Sequence, residues 1–180
     1  MRSKAGPSCA ARRTWLRSVA ALGAAAAGLP LAAHAGGLKL GEPAPPLVLH
    51  TLDARRIATR DLLGQVVIVT FWATWCDPCR EELPLLSAYA ARHRRQGLAV
   101  LGFSLDDAEN LPKVRRVAAG LSFPVGLLGS AWAGGYGRIW RIPVSFVIDR
   151  RGLLRYDGWQ AEQRTWTEAS LRQAVSPWLL

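Results

Sequence analysis

Methionine occurs once, as Met1, and cysteine only three times in 180 residues. With no thioether beyond Met1, a copper carrier built on methionine sulfurs has no support. Cys9 falls inside a leader, so the mature chain keeps only Cys76 and Cys79, too few for a multi-bridge disulfide scaffold. Histidine is equally sparse: His34, His50 and His93 show no ligand spacing, and no second cysteine pair exists to complete a zinc site, so no metal is expected. Arg80 stands where a haem-attachment sequence requires His. Acids are few as well, 13 against 23 Lys and Arg, for a formal net charge of +10.

What is present starts with that charge. Arg2, Lys4, Arg12, Arg13 and Arg17 precede an uncharged Ala/Gly/Leu run from Ser18 to Ala33, and Ala33-His34-Ala35 follows. A positive start, an apolar middle and a small-residue cleavage point describe an export signal over residues 1–35. The run Arg12-Arg13-Thr14-Trp15-Leu16-Arg17 resembles the twin-arginine export motif. An ordinary secretory signal or an uncleaved membrane anchor has similar ingredients, because the uncharged run is about long enough to span a bilayer. Gly23, Gly28 and Pro30 weigh against the anchor. The expectation is a periplasmic or otherwise extracytoplasmic protein of residues 36–180. Losing the leader's five basic residues halves the charge to +5. The remaining groups, Arg92, Arg94 and Arg95, then Lys113, Arg115 and Arg116, sit at helical spacing and read as solvated faces. No nucleic-acid partner is expected, since no recognised binding module accompanies them.

Behind the leader there is material for one ordinary core. Two extended segments, Leu47 to Thr51 and Arg56 to Thr59, flank the turn-like Asp53-Ala54 and predict a hairpin. Val66 to Trp72 is an unbroken β-branched and aromatic run, the pattern of a strand covered on both faces. Leu83, Leu86 and Ala90 predict an amphipathic helix from Pro78 to about Arg95, with Pro84 expected to kink it. Gly97 ends that helix and Leu98 to Phe103 reads as a second buried strand, which makes a parallel crossover. A less regular helical stretch is expected over Asp106 to Gly120, a short strand over Pro124 to Leu128, and helix plus Gly-rich loop over Ser130 to Trp140. Val144 to Ile148 and Leu153 to Trp159 form a final hairpin around Arg150-Arg151-Gly152, and a helix near Thr167 to Val175 closes the chain.

Trp75-Cys76-Asp77-Pro78-Cys79 lies where the strand ends and the helix starts. Cysteines three apart on a first helical turn share a face and can form a disulfide. The helix N-terminus favours a thiolate at Cys76, which makes it the nucleophile, and Cys79 is the resolving thiol. Asp77 opposes thiolate formation, which points toward a reductant rather than a strong oxidant.

The segment Phe71 to Pro84, with Trp72-Ala73-Thr74-Trp75-Cys76-Asp77-Pro78-Cys79-Arg80-Glu81-Glu82 inside it, resembles the active-site segment of the TlpA/ResA/CcmG group of thioredoxin-like proteins. A looser likeness, including Gly41-Glu42-Pro43-Ala44-Pro45, extends to the C-terminal helix. The resemblance implies an α/β thioredoxin fold, a central mixed sheet flanked by helices, with an N-terminal hairpin and a β-α insertion. It also implies an exported thiol-disulfide oxidoreductase without a cofactor. Its partners would be a cysteine-containing exported protein as substrate and an upstream thiol electron donor, in the membrane or outside it. Cytochrome c maturation is one pathway in that group. By position, Pro143 matches the group's cis-proline and Ile142 the residue before it, which with Trp75 would meet the substrate, although a proline at a strand start is trans by default. Glu82 matches the acid that handles protons, because Thr70 replaces the buried strand Asp of other thioredoxins.

Two other functions fit less of the sequence. A peroxiredoxin-like peroxidase needs Thr or Ser three residues before its cysteine, where this chain has Ala73. A binding module with a static disulfide remains open on sequence alone, and ease of reduction by a mild dithiol separates it from an exchanging pair.

Overall fold

The computed structural model describes residues 37–180. The leader and its cleavage point lie outside the described residues. Strands β1 (Val48–His50) and β2 (Arg56–Ala58) form the N-terminal antiparallel hairpin. β3 (Val66–Trp72) runs through α1 (Asp77–His93) into β4 (Leu98–Ser104), which pairs parallel to it. α2 (Leu111–Ala118) and β5 (Val125–Leu127) follow, then the antiparallel pair β6 (Val144–Ile148) and β7 (Leu154–Asp157), and finally α3 (Glu168–Val175). The main sheet has the order β5-β4-β3-β6-β7 and is mixed, with β6 antiparallel to β3. This is the thioredoxin fold.

All seven residues of β3 are buried. Side chains alternate across a strand, so Val66, Ile68 and Trp72 enter the core under α1, α2 and α3 with Leu83, Leu86, Val114, Leu171 and Val175. Val67, Val69 and Phe71 enter a second core on the opposite face, with Leu49 of the hairpin and with Tyr136 and Ile139. Two covered faces explain the absence of alternation in the sequence. The hairpin can lie this close because β5 carries Gly126, where a Cβ would collide with the His50 carbonyl.

One expectation needs correction. Ser130 to Trp140 holds no α-helix, only one 3₁₀ turn at Gly134–Tyr136 inside a bridge between Trp132 and Arg138. Gly134 and Gly137 take φ of +55° and +79°, values that a right-handed helix does not admit. The less regular helical stretch expected over Asp106 to Gly120 is a 3₁₀ turn at Ala108–Asn110 followed by α2. Pro84 lacks an amide donor yet leaves α1 undivided. Among the described residues no helix is long and apolar enough to cross a membrane.

Candidate active site

β3 delivers the chain to a three-residue loop, Ala73-Thr74-Trp75, and Cys76 then caps α1 with extended backbone. Pro78 occupies the first turn, where a missing N–H leaves no bond unmade. Cys76 and Cys79 form a disulfide with a Cα–Cα separation of 5.3 Å. The Cys79 amide donates to Cys76 Sγ at 3.2 Å, so the first sulfur sits against an amide at the positive end of the helix. Cys76 keeps 5% of its surface exposed and Cys79 only 1%, which makes Cys76 the sulfur a partner meets first. Trp75 beside it is 65% exposed. Asp77, the acid next to the nucleophile, bonds the Arg80 guanidinium one turn on. That pair offsets part of the negative charge that Asp77 brings to the cysteines.

The register of β6 against β3 pairs Val144 with Phe71, so Pro143 comes opposite the end of β3 from which the cysteine loop departs. The Ile142–Pro143 peptide bond is cis and Pro143 is buried. Ile142 is partly buried and packs against the apolar cluster that holds both cysteines. Immediately before it, Arg141 donates to the carbonyls of Gly158 at 2.7 Å and Trp159 at 3.0 Å. The rings of Trp140 and Trp159 stack at 5.5 Å, and the Arg141 guanidinium lies near both. Nothing in the sequence marked Arg141, because its partners lie on the far side of the β6–β7 hairpin.

Glu82 sits on the buried face of α1, one turn beyond Cys79. Its Oε2 accepts the Trp166 amide at 2.8 Å. Burial pushes its carboxyl up to about 7, against the lowering pull of that amide. The Tyr156 phenol is raised as well, by its own burial and then by Glu82. Thr70, in the strand beneath, accepts a hydrogen bond from Ser145 Oγ at 2.9 Å, which satisfies both hydroxyl-bearing side chains across β3 and β6.

A second acid was not legible in the sequence. Asp106, just past the end of β4, accepts the Thr74 amide at 2.8 Å, the Thr74 hydroxyl at 2.5 Å and the Ser104 hydroxyl at 2.7 Å. It is buried and joins the cysteine loop to the neighbouring strand across 32 residues of sequence. Its neighbour Asp107 is exposed, so the pair Asp106-Asp107 reads in sequence as an ordinary polar loop.

Residues 40–157 match the AhpC/TSA family. The chain belongs to this family. The chain is similar to the thiol-disulfide oxidoreductase ResA of Bacillus anthracis, at 32% identity over 116 residues, 64% of this chain and 66% of that one. It therefore spans just under two thirds of the ResA protein it matches. The thioredoxin-like protein YneN of Bacillus subtilis is 30% identical over 122 residues, 66% of this chain and 71% of that one. Among solved structures, a thiol:disulfide interchange protein of the thioredoxin family from Chlorobium tepidum shares 27% identity with a TM-score of 0.65, covering 81% of this chain and all of that one. The AhpC/TSA match, the mixed sheet and the cysteine pair at the start of α1 agree on a ResA-like member with a thioredoxin fold.

Proposed function

We propose that this AhpC/TSA-family protein is an exported thiol-disulfide oxidoreductase that reduces cysteine pairs in extracytoplasmic proteins. The observation that carries the reading is the Cys76–Cys79 disulfide at the N-terminus of α1, with the more accessible sulfur receiving the Cys79 amide. Its likeness to ResA and to the interchange protein supports the same chemistry. In the reduced protein the Cys76 thiolate attacks one sulfur of a substrate disulfide. A Cys76–substrate bond forms, and the other substrate sulfur leaves as a thiolate and takes a proton. Cys79 loses its proton and attacks Cys76 Sγ, which closes the intramolecular disulfide and releases the second substrate thiolate. Two electrons pass from protein to substrate, the one proton that Cys79 loses matches the one that the first substrate thiolate takes, and an upstream dithiol restores Cys76 and Cys79 by the reverse exchange. Glu82, poised near 7, is the group suited to take the Cys79 proton. Ile142, Pro143 and Trp75 frame the approach of the substrate chain.

The reducing direction rests on the acids around the pair, and Asp77 supports it less than its position implies because Arg80 binds it. Cytochrome c maturation is the pathway that the TlpA/ResA/CcmG likeness suggests. The decisive experiment compares Cys79→Ala with Cys76→Ala in the producing cell's envelope. Cys79→Ala should accumulate a mixed disulfide on Cys76, visible as adducts that a reductant dissolves, and mass spectrometry of those adducts names the partner. Trapping by Cys76→Ala alone would reverse the two roles. No trapping by either variant would favour a static disulfide.

A further inference from the structure

The loop that carries Cys76 is held by one buried carboxylate, and nothing in the exchange chemistry above uses it. Thr74 gives both its amide and its hydroxyl to Asp106, one to each carboxylate oxygen. Ser104 donates its hydroxyl to Oδ2 and receives the Asp106 amide at 3.1 Å. The carboxylate is thus an acceptor in every bond it makes, the pattern of an ionised group. No Lys or Arg pairs with it among the described residues, and only 3% of the residue is exposed. The backbone repeats the connection, since the Leu105 amide donates to the Trp72 carbonyl at 2.8 Å. The ends of β3 and β4 are therefore tied together immediately before the nucleophile.

We propose that Asp106 is a positioning residue for the Cys76 thiol and sets its ionisation. Through Thr74 it fixes the loop two residues before Cys76, a distance of at most about 7 Å along the chain. Its buried negative charge lacks a cationic counterpart, so it opposes a thiolate forming at that loop and favours the disulfide over the ionised reduced pair. The consequence is a more reducing pair. This inference rests on the oxidoreductase reading for its meaning, though its first measurement requires only the reduced protein. The charged groups on the neighbouring elements are Asp77 with Arg80 and the buried Glu82 on α1, and the exposed Asp107 after β4. The Asp77–Arg80 pair offsets itself in part, which leaves Asp106 as the buried charge bonded to the loop.

The test titrates the Cys76 thiolate in reduced protein, by alkylation rate against pH, for the wild type, Asp106→Asn, Thr74→Val and Thr74→Ser. Asp106→Asn should raise the thiolate fraction below the midpoint about tenfold. Above the midpoint, where the reduced form is the thiolate, it should also shift the equilibrium with a reference dithiol toward reduced protein by about the same factor, about 30 mV for a two-electron couple. Thr74→Val, which loses only the hydroxyl bond, should move the titration, and Thr74→Ser should bring it back. The Thr74 series decides the matter alone if Asp106→Asn does not fold. A Cys76 titration identical in every folded variant would overturn the proposal. Because alkylation needs no protein substrate, that result is distinct from failure of wild-type protein to exchange disulfides, which would overturn the oxidoreductase reading instead.

Discussion

Glu82 stands on α1 one turn past Cys79, at the position where the resemblance expects an acid that handles protons. Its burial and the Trp166 amide are what distinguish it. A group raised from 4.5 to about 7 holds its proton in the folded protein while the unfolded chain has already released it. Folded protein therefore binds more protons between those values, and stability falls as pH rises from about 4.5 to about 7. The full contribution is up to about 3 kcal/mol, because each tenfold change in proton affinity is worth about 1.4 kcal/mol. Glu82→Gln should remove this slope while keeping an acceptor for Trp166. Urea unfolding at about pH 5 and about pH 8 reads it directly: the wild type should be more stable at the lower pH relative to the variant, and parallel behaviour of the two would show that Glu82 is ionised throughout. The same variant should slow disulfide exchange and flatten its dependence on pH near 7.

Among the elements, the β6–β7 hairpin shows how a turn is made rigid by charge. Asp149 Oδ1 accepts the amides of Arg151 and Leu153 at 2.9 and 3.0 Å, and Oδ2 pairs with Arg155 at 2.7 Å. Partial burial opposes its ionisation, but the Leu153 amide, Arg155 and the Arg151 amide outweigh it and hold its carboxyl below the usual range. Arg150 turns the other way and donates to four carbonyls: Gly64 at 2.7 Å, Gln96 at 2.8 Å, Leu179 at 2.9 Å and Trp178 at 3.2 Å. One guanidinium thus joins the start of β3, the end of α1 and the C-terminus at the end of the sheet away from the cysteines. Lysine lacks the planar fork that reaches several carbonyls at once. Arg150→Lys should cost about 1–3 kcal/mol in urea unfolding, the cost of leaving carbonyls without donors. A loss under about 0.5 kcal/mol, the range of an ordinary surface change, would mean that water replaces those bonds.

For the molecule as a whole, compartment decides whether the cysteine pair has anything to act on. A pair that reduces exported proteins needs to be outside the cytoplasm, where disulfides persist. The leader's order of basic, apolar and Ala-His-Ala residues predicts cleavage after Ala35. Intact-mass measurement of protein recovered from the cell envelope should give a chain beginning at Gly36. A full-length chain recovered with membranes would instead establish the anchor.

The sequence alone determined the elements whose burial is nearly complete or whose chemistry is local. β3 and β6 were legible because every residue of each is buried, so the apolar run has no gaps. Cys76 and Cys79 were legible because a helical turn fixes the distance between positions three apart. Even the hairpin at β1 and β2 followed from turn residues between two short extended runs. Tertiary structure decided the rest. Glycines with positive φ occupy the segment after β5, where a helix beside a Gly-rich loop was expected. The burial of Glu82 against Trp166 depends on elements far apart in the chain. Asp106 is the plainest case, because a carboxylate becomes a clamp on the cysteine loop only when β4 pairs with β3 and brings it to Thr74. Local pattern reports periodicity and turn chemistry, whereas the environment of a charge is set by whichever residues folding brings around it.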